Sequence, residues 1–458
     1  MKQHTKSLFI FHRDLRTADN RGLIRALSQS TQVIPCFIFD PAQVENENSY
    51  KSTNCIQFMI TSLQELDEQL CKREGKLFLF YGNTHNVIKE IIKQEKIDAI
   101  YCNRDYTPFA INRDKSIEKL CHTNKIDFIQ EHDLLLHEPE QVLSRNNTPY
   151  SIFTAFYKKA LTFPVGKPLP PVHGTFYTNS IKGNSHKNLY KKILPQLNPN
   201  LRVKGGRSEA VTILKDIKDY HDYAQTRDYP ALDSTTRLSA HLKFGTVSIR
   251  EVYWHIADQL GASHPLLRQL YWRDFFTHVA YHSPFVFGQP FHEKYKKLPW
   301  KNDIKDFKTW CMGKTGFPIV DAGMRQLNAT GWMHNRVRMI VASFLIKDLH
   351  IDWRWGEKYF AQQLVDYDPC VNNGNWQWCA STGCDAQPYF RIFNPWLQQK
   401  KFDKECEYIK KWVPELKHLN AKEIHNLNKT KQIVKNYPRP IVDHTKESSK
   451  ATLLYKHI

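Results

Sequence analysis

The sequence predicts an α/β fold, in which an N-terminal doubly wound parallel sheet of the Rossmann type is followed by a large all-α domain. Near the N-terminus, short apolar runs alternate with segments of helical periodicity, whereas the second half of the chain shows helical periodicity alone. Between these halves, residues 161–206 are rich in Pro, Gly, Asn, Lys and Ser, a composition typical of a surface connection. We therefore expect a first domain at 1–135, a linker at 136–205 and a helical domain at 206–458.

The strands of the predicted sheet are short runs in which nearly every residue is apolar, as in parallel strands that helices cover on both faces. They are Leu8–Phe11, Val33–Phe39, Leu77–Tyr81, Ile97–Tyr101 and Ile126–Ile129. Apolar residues at helical spacing lie between them, over 56–70, 87–92 and 117–120. Strand and helix thus alternate as in repeated βαβ units. No G-x-G-x-x-G motif accompanies them, so the pattern itself indicates no dinucleotide site.

A long helix is expected in the second half, because residues from Met324 to Leu345 keep one apolar face. A second stripe on that helix, at positions i, i+3 and i+7, consists of Trp332, Asn335 and Met339. An indole, an amide and a thioether that face the same way are typical of a pocket wall. A mixed and partly buried helix face explains the stripe equally well.

Charge and cysteine usage limit the class of protein. Lys and Arg number 65 against 46 Asp and Glu, and the resulting net charge of +19 favours a polyanionic partner, whether DNA, RNA or an acidic membrane surface. The ten cysteines are dispersed without a C-x-x-C pair, so we expect reduced thiols and no metal site. Neither a signal peptide nor a membrane-spanning run is visible, and we expect a soluble, intracellular protein.

Three polar segments of the helical half carry side chains suited to ligands. The first, the hydroxyl-rich run 235–239 around Arg237, can supply hydroxyls and a cation to a diphosphate where a helix begins. A simple helix cap explains the same residues. The second, 268–276, interleaves Arg with aromatic residues, which suits either nucleic acid or an ordinary amphipathic helix.

The third segment, VDYDPCVNNGNWQWCASTG at 365–383, combines two carboxylates, four amides and two indoles with few aliphatic residues. Because two Asn and a Gly follow Asp366 and Asp368, we expect an irregular backbone whose side chains face a ligand. Paired carboxylates can form an acid–base pair, but Arg338 and Arg237 are available to neutralise them, and an Asp–Arg pair would brace a pocket instead. Carboxylates and amides also match the donors and acceptors on the edge of a heterocycle.

From FHRDLR at 11–16 to PRPIV at 438–442, the chain resembles the photolyase/cryptochrome family. The resemblance rests on long strings in the family's order, namely TTRLS at 235–239, YWRDFF at 271–276, GKTGFPIVDAGMRQLNATGWMHNRVRM at 313–339, DPCVNNGNWQW at 368–378 and PYFRIFNP at 388–395. Within the family, the chain is most similar to the class I cyclobutane pyrimidine dimer photolyases. The resemblance implies an antenna-binding α/β domain and a helical catalytic domain that binds FAD and DNA.

The resemblance also implies roles for individual residues. Those expected to bind FAD, with Asn372 beside the flavin N5, are Tyr223, Thr235, Thr236, Arg237, Leu238, Ser239, Arg338, Asp366, Tyr367, Asp368 and Asn372. Those expected to carry an electron to the flavin are Trp300, Trp353 and Trp376. Those expected to contact DNA or the flipped-out dimer are Arg227, Gln269, Trp272, Arg273, Asn335, Arg336, Met339, Trp378, Arg391 and Gln398. Asn103 and Thr107 match the loop of the antenna site.

The function implied by the resemblance is light-driven repair of UV-damaged DNA, in which a carbon–carbon lyase opens a cyclobutane pyrimidine dimer with an electron from photoexcited, reduced FAD. We further expect no metal, no membrane partner and a nucleoid-associated monomer. A cryptochrome-type blue-light photoreceptor and a (6-4) photoproduct repair enzyme are the alternatives within the family. A basic nucleic-acid-binding module without a cofactor is the alternative outside it.

Four positions bear on the finer assignment. Gln269 stands where class I members have Glu and matches the (6-4) branch instead. Asn335 and Met339, by contrast, stand where the (6-4) branch has two His, and these two positions favour cyclobutane dimers. Thr107 replaces the Glu that binds the antenna in folate-using members, so folate, a deazaflavin and an empty antenna site all stay open.

Overall fold

The computed structural model describes residues 2–185, 187–430 and 433–458, which form two compact units. The first unit comprises Met1–Pro199, Val203–Asp219 and Thr236–Pro284. The second unit comprises Asn200–Arg202, Tyr220–Thr235 and Phe285–Ile458. Each unit encloses its own core of buried apolar side chains. None of the described helices is both long enough and apolar enough to span a lipid bilayer.

A parallel sheet organises the first unit. Its strands are β1 His4–Phe11, β2 Ser30–Phe39, β3 Phe78–Tyr81, β4 Ala99–Asn103, β5 Asp127–Glu131 and β6 Thr175–Phe176. They lie in the order β3–β2–β1–β4–β5, and β6 pairs with β2. The chain therefore winds outward from β1 first in one direction and then in the other, as in a doubly wound sheet. This confirms the predicted fold class.

The helices account for most of the remaining chain. They are α1 Arg21–Gln29, α2 Pro41–Val44, α3 Thr53–Cys71, α4 Thr84–Glu95, α5 Pro108–Asn124, α6 Phe153–Ala160, α7 Lys187–Ile193, α8 Arg207–Lys215, α9 Tyr223–Thr226, α10 Leu238–Phe244, α11 Ile249–Leu260, α12 Pro265–His282, α13 Ile304–Cys311, α14 Pro318–Thr330, α15 Asn335–Ser343, α16 Trp353–Gln363, α17 Pro369–Ala380, α18 Pro395–Phe402, α19 Glu407–Trp412, α20 Ala421–His425 and α21 His444–Lys456. Short 3-10 turns lie at Ile217–Tyr220, Pro284–Val286, Glu293–Lys297 and Pro414–Leu416, and a π-helical turn at Phe344–Asp348 follows α15.

Helices α10 to α12 belong to the first unit because a buried ionic network fastens α11 to the loops that follow the strands. Arg250 donates to Asp19 (Nε–Oδ2, 3.0 Å) and to Asp133 (Nη2–Oδ1, 2.6 Å). Arg16 donates to the other carboxylate oxygen of Asp133 at 2.5 Å. Each of these side chains is buried, and each charge has an opposite charge and a hydrogen bond, as buried ions require.

One expectation about the second unit is wrong. Residues 324–345 do not form a single helix, because Gly331 adopts a left-handed conformation (φ 65°) and ends α14. The imidazole of His334 then accepts a hydrogen bond from the N–H of Arg336 and begins α15. Trp332 lies in the turn between the helices, so only Asn335 and Met339 share a helix.

Candidate functional site

The second unit contains a bidentate arginine–carboxylate pair. Arg338 on α15 donates to both oxygens of Asp366 (Nη1–Oδ1, 3.2 Å; Nη2–Oδ2, 3.0 Å) and, through Nε, to the carbonyl of Met333 at 2.8 Å. The Asp366 side chain is only 4% exposed. Three hydrogen bonds hold the guanidinium in one plane, and the guanidinium in turn fixes the plane of the carboxylate. The structure thus supports the bracing role that sequence reasoning left open for this pair.

Asp368 begins a helix rather than an irregular segment. Its Oδ1 accepts hydrogen bonds from the N–H groups of Cys370 (3.0 Å) and Val371 (3.2 Å), and Pro369 occupies the first helical position. The expectation of irregular backbone after Asp368 is therefore wrong, since α17 runs through both Asn and Gly374. The helix places Asn372 and Trp376 one turn apart on neighbouring positions of the same side.

A buried amide network holds Asn372. Its Nδ2 donates to the carbonyl of Glu357 on α16 at 3.1 Å, while Asn373 donates to the Glu357 carboxyl (Nδ2–Oε1, 3.0 Å) and to the carbonyl of Val286 at 3.0 Å. Burial raises the pKa of Glu357 to about 7. Within the described residues, Asn372 makes no further side-chain hydrogen bond, so its Oδ1 and second N–H remain available to a ligand.

The donor set of this region fits a flavin ring. An isoalloxazine edge presents N–H donors and carbonyl acceptors in one plane, and a fixed carboxylate and an amide can together pair with both kinds of group. Arg338 on α15, Asp366 in the segment between α16 and α17, and Asn372 on α17 supply these three functions.

The three tryptophans of the predicted electron path belong to one apolar core in the second unit. Trp353 and Trp376 are buried within it, and Trp300 is partly buried against it. Trp376 lies over Gly356, where a Cβ would overlap its Cη2 atom, and Gly356 is one turn after Trp353 on α16. The N–H of Lys301 donates to the carbonyl of His350 at 2.8 Å, which joins the Trp300 segment to the loop before α16.

The residues of the second unit that are predicted to contact DNA differ in their contacts within the protein. Arg336 donates to Asp228 (Nη2–Oδ1, 2.9 Å), and the guanidinium of Arg227 lies 5.5 Å from the ring centroid of Tyr223 on α9. Arg391 is exposed. The Oε1 atom of Gln398 is buried and has no hydrogen-bond partner among the described residues. Such an orphaned acceptor is unfavourable in the free protein and suits a ligand donor.

Other predicted second-unit side chains differ in burial. Thr235, Tyr367, Met339 and Trp378 are half-buried, Asp368 is buried, and Asn335 is exposed. The Nδ2 of Asn335 lies 3.8 Å from the sulfur of Met339, one turn along α15. Asn335 and Met339, which stand where the (6-4) branch has two His, therefore lie side by side.

In the first unit, α12 carries three of the predicted residues. Trp272 stacks in parallel on Phe153 of α6, with ring centroids 3.6 Å apart and an interplanar angle of 7°. Arg273 donates to the carbonyl of Leu134 at 2.9 Å and to Asp274 at 3.2 Å, so its guanidinium is engaged inside the unit. Gln269 makes a long hydrogen bond of 3.5 Å to the carbonyl of Pro265.

The predicted diphosphate residues of the first unit stand where α10 begins. Arg237 is the residue before the helix, in a left-handed conformation with φ 55°. The Oγ1 of Thr236 accepts a hydrogen bond from the N–H of Leu238 at 3.4 Å. Leu238 is buried, whereas Ser239 is exposed. The sequence expectation that a helix starts at this hydroxyl-rich run is confirmed.

The two antenna residues serve the fold of the first unit. Asn103, which is 5% exposed, donates to Asp14 (Nδ2–Oδ2, 2.6 Å) and Asn20 (Nδ2–Oδ1, 2.7 Å) and accepts from the N–H of Gly22 at 2.9 Å. Thr107 precedes α5, where its hydroxyl accepts from the N–H of Ala110 at 3.3 Å.

Sequence reasoning missed three residues that contact or adjoin predicted residues of their own unit. Phe153 stacks on Trp272, Glu357 holds the two asparagines of α17, and His334 has a buried Nε2 without a hydrogen-bond partner among the described residues. His334 stands inside a quoted motif and could have been singled out there. Phe153 and Glu357 carry no local signal, because their partners lie elsewhere along the chain.

Two family models match the chain. Residues 7–173 match the model described as DNA photolyase, and residues 266–457 match the FAD binding domain of DNA photolyase. A curated relative, the deoxyribodipyrimidine photo-lyase of a Synechococcus strain, is 37% identical, and the alignment covers 98% of this chain and 96% of that protein.

Solved structures are also similar to this chain over essentially its full length, and three of them illustrate the range. The archaeal photolyase of Sulfolobus tokodaii, solved with two FAD molecules, is 44% identical with a TM-score of 0.89, and 99% of this chain and 100% of that one are covered. The class III photolyase of Agrobacterium tumefaciens is 34% identical with a TM-score of 0.91, at coverages of 100% and 98%. The Synechocystis cryptochrome is 30% identical with a TM-score of 0.89, at coverages of 99% and 100%.

Proposed function

Because this chain belongs to the photolyase/cryptochrome family, we propose that it is a light-driven DNA repair enzyme, a deoxyribodipyrimidine photo-lyase that splits cyclobutane pyrimidine dimers. The observation that carries the proposal is the FAD binding domain of DNA photolyase at residues 266–457. The reaction breaks carbon–carbon bonds between two adjacent pyrimidines, so the enzyme is a carbon–carbon lyase. We expect it to work at the nucleoid, where its DNA substrate lies, and to act as a monomer.

Reduced FAD, when bound, supplies the light-absorbing electron donor, and the protein supplies binding, orientation and polarity. We assign the flavin ring to Arg338, Asp366 and Asn372, whose fixed carboxylate and amide support this role. The other residues assigned to FAD are Tyr223, Thr235, Thr236, Arg237, Leu238, Ser239, Tyr367 and Asp368. The indoles assigned to the electron path are Trp300, Trp353 and Trp376, and their common core supports the assignment.

The net charge of +19 supports binding to the phosphates of DNA. Base flipping, of which photolyases are themselves a standard example, costs a few kcal/mol and least for damaged bases. From the family resemblance, we propose that Trp272 and Trp378 each stack on the flipped-out dimer. The full set proposed to contact DNA or the dimer is Arg227, Gln269, Trp272, Arg273, Asn335, Arg336, Met339, Trp378, Arg391 and Gln398.

We assign the substrate to cyclobutane dimers and the chain to class I. Repair of (6-4) photoproducts requires proton transfer, for which that branch carries two His, and this chain has Asn335 and Met339 there. An amide and a thioether do not titrate near neutral pH, so they suit ring splitting by electron transfer alone. Trp378 further favours this class over the single-strand-specific DASH branch, which has Tyr at that position.

A blue-light photoreceptor is the second candidate function, because the chain is also similar to the Synechocystis cryptochrome. A photoreceptor would bind FAD and undergo photoreduction without repairing DNA. Dimer repair is therefore the property that separates the two functions.

The identity of an antenna chromophore is a separate question. The archaeal photolyase holds two FAD molecules, which adds a second FAD to the folate and deazaflavin that the sequence leaves open. Mass spectrometry of the chromophores released by denaturation decides among them. Two FAD per chain, one FAD with a pterin or deazaflavin, and one FAD alone give distinct masses and stoichiometries.

The wavelength dependence of repair tests the proposed function. Purified, chemically reduced protein is mixed with a duplex that carries one cyclobutane thymine dimer and illuminated at a series of wavelengths. We expect the repair rate to follow the absorption spectrum of the bound chromophore and to vanish in the dark. Retention of FAD without repair at any wavelength would favour the photoreceptor, and a colourless protein that binds DNA would contradict both functions.

A further inference from the structure

We propose that Phe153 of α6 is a positioning residue for Trp272, because it covers one face of the indole and so directs the opposite face toward the flipped-out dimer. This inference deepens the proposed function and rests on it. Phe153 lies in the stretch that the sequence predicts to be a linker, 119 positions before Trp272 in the chain. Nothing in the family motifs marks it.

The contact between the two rings is close and parallel. Their centroids are 3.6 Å apart, and their planes differ by 7°. Aromatic pairs in proteins more often meet edge to face or offset, with centroids about 4.5–7 Å apart. A flat ring at van der Waals distance leaves no room for a base on that side of the indole.

Phe153 is itself firmly held. It is 1% exposed, and its ring stacks on Tyr157 one turn along α6, with centroids 5.6 Å apart and a 12° angle between planes. Phe275 of α12 meets it edge-on at 5.7 Å, and the guanidinium carbon of Arg268 lies 5.3 Å from its centroid. A backing ring that is fixed by its neighbours can fix the indole it supports.

The rest of the Trp272 surroundings limit its motion further. Phe276 lies at 5.6 Å with a 32° tilt, and Phe275 meets the indole edge-on at 5.8 Å. Trp272 nevertheless stays half-buried, so part of its surface is accessible. A side chain that already occupies its binding orientation loses little rotamer freedom when a base stacks on it. The entropic cost of binding is therefore lower, and the affinity for the damaged base is higher.

The helix offers a matched control. Phe156 is three positions along α6 and is also buried, at 2% exposure. It packs on Phe275 (5.4 Å) and His278 (4.9 Å), and the described ring contacts do not join it to Trp272. Replacement of either phenylalanine by leucine removes one aromatic ring from the same packing layer. Only Phe153→Leu removes the flat surface behind the indole.

The test compares the dissociation constants of the wild type, Phe153→Leu and Phe156→Leu holoenzymes for a duplex with one cyclobutane dimer and for the same undamaged duplex, in the dark. We expect Phe153→Leu to lower the affinity for the damaged duplex by about three- to tenfold, because Trp272 must be ordered on binding. Its affinity for undamaged DNA should not change. Phe156→Leu should leave the ratio of the two affinities unchanged.

A second measurement needs no DNA. It is the fluorine NMR spectrum of protein labelled with fluorotryptophan. The resonance of Trp272 is identified by its loss in Trp272→Phe. Phe153→Leu should shift this resonance, because the ring current of the stacked phenylalanine is removed. An equal loss of the preference for damaged over undamaged duplex in both leucine variants, or an unshifted resonance, would overturn this inference but not the proposed function. Wild-type protein that binds damaged and undamaged DNA equally would overturn the proposed function and this inference with it. Should Phe153→Leu not fold, Phe153→Met serves the same comparison.

Discussion

The indole of Trp376 on α17 occupies the space that a side chain at Gly356 on α16 would fill. A Cβ at Gly356 would overlap Cη2 of Trp376 and would stand 2.6 Å from Cδ2 of Leu345. The two helices can therefore approach only because position 356 has no side chain. Since α16 also carries Trp353, the contact that fixes Trp376 fixes its placement relative to the next indole of the proposed electron path.

Gly356→Ala should disturb both stability and electron transfer. The added methyl group forces Trp376 to turn or the helices to separate, and overpacking of this kind costs about 1–3 kcal/mol in the free energy of unfolding. Displacement of the indole should also slow the photoreduction of oxidised FAD. Urea unfolding and the rate of flavin bleaching under blue light with an added reductant measure the two effects.

A double variant provides the control for this contact. In Gly356→Ala combined with Trp376→Phe, the smaller ring leaves room for the methyl group. The loss of stability should then be smaller than the sum of the losses in the two single variants, as is expected of residues in contact. Strictly additive losses would show that the two positions do not interact.

Trp300→Phe separates photoreduction from repair. Phenylalanine is much harder to oxidise than tryptophan, so loss of the outermost indole should stop photoreduction of oxidised FAD. Repair by chemically reduced enzyme should continue, because it does not use the path. Trp254→Phe in the first unit, whose indole donates to the carbonyl of Gly166, is the matched control. Photoreduction that survives in Trp300→Phe would remove this residue from the path.

Gln269→Glu tests the departure from the class I pattern. An amide can donate to a pyrimidine carbonyl and accept from its ring N–H, so the native residue supports repair. Among the described residues, the native glutamine makes only a long hydrogen bond to the carbonyl of Pro265, and the change should disturb little of the structure. We expect the number of dimers repaired per absorbed photon to stay the same or to rise. A large fall would mean that the contact has a different role.

The salt dependence of DNA binding tests the electrostatic part of the proposal. Each neutralised phosphate lowers log K by about 0.9 per unit of log salt concentration. Four to six phosphate contacts would give a slope of about −4 to −5. Arg336→Ala and Arg391→Ala should each reduce the slope by about one, measured by fluorescence anisotropy on undamaged duplex. A flat response would contradict binding through phosphates.

Lys347 should make stability depend on pH. Its ammonium is buried between Ser381 (Nζ–Oγ, 3.2 Å) and the ring of Tyr455 (3.4 Å to the centroid), and the buried thiol of Cys379 acts on it electrostatically. Burial lowers the pKa of Lys347 from 10.5 to about 7. Between these values the folded state has lost a proton that the unfolded state keeps, so the free energy of unfolding should rise with pH.

Above pH 7, this one group should raise the free energy of unfolding by up to about 1.4 kcal/mol per pH unit, the slope expected when the unfolded state binds one proton more than the folded state. Lys347→Met should flatten that part of the curve, since an apolar side chain has nothing to titrate. Urea unfolding at several values between about pH 7 and pH 9 provides the measurement. The exposed Lys308 of α13 offers the control, and Lys308→Met should leave the pH dependence as it is. An unchanged curve in Lys347→Met would contradict a buried, titrating ammonium.

The sheet could be predicted from sequence because each buried strand is apolar over several consecutive residues. Its ends could not, because β1 and β2 extend into polar residues whose burial depends on a partner across the sheet. Ser7 and Ser30 illustrate the point, since each hydroxyl is satisfied by the other at 2.6 Å. A polar run is therefore compatible with a strand interior wherever the neighbouring strand supplies the hydrogen bond.

The candidate site likewise has features that the sequence predicts and features that depend on tertiary contacts. The sequence predicts the residues of α17 but not the helix itself, because a helix with three Asn and one Gly forms here through tertiary contacts. Asn373 and Gln377 donate to the carbonyl of Val286, and Gln377 also donates to that of Gln289, so buried amides are satisfied outside the helix. Local propensity could not indicate this arrangement. The stack of Phe153 on Trp272 was equally invisible, because it depends on the packing of α6 against α12.

The most direct test of the central claim is a blue-light assay on two oligonucleotides, one with a cyclobutane pyrimidine dimer and one with a (6-4) photoproduct, each with a dark control. Chemically reduced protein should restore the cyclobutane-containing strand in the light and leave it unchanged in the dark. It should leave the (6-4) strand unrepaired under both conditions, because Asn335 and Met339 cannot transfer a proton. Repair of the (6-4) strand, repair in the dark, or no repair of either strand would contradict the account.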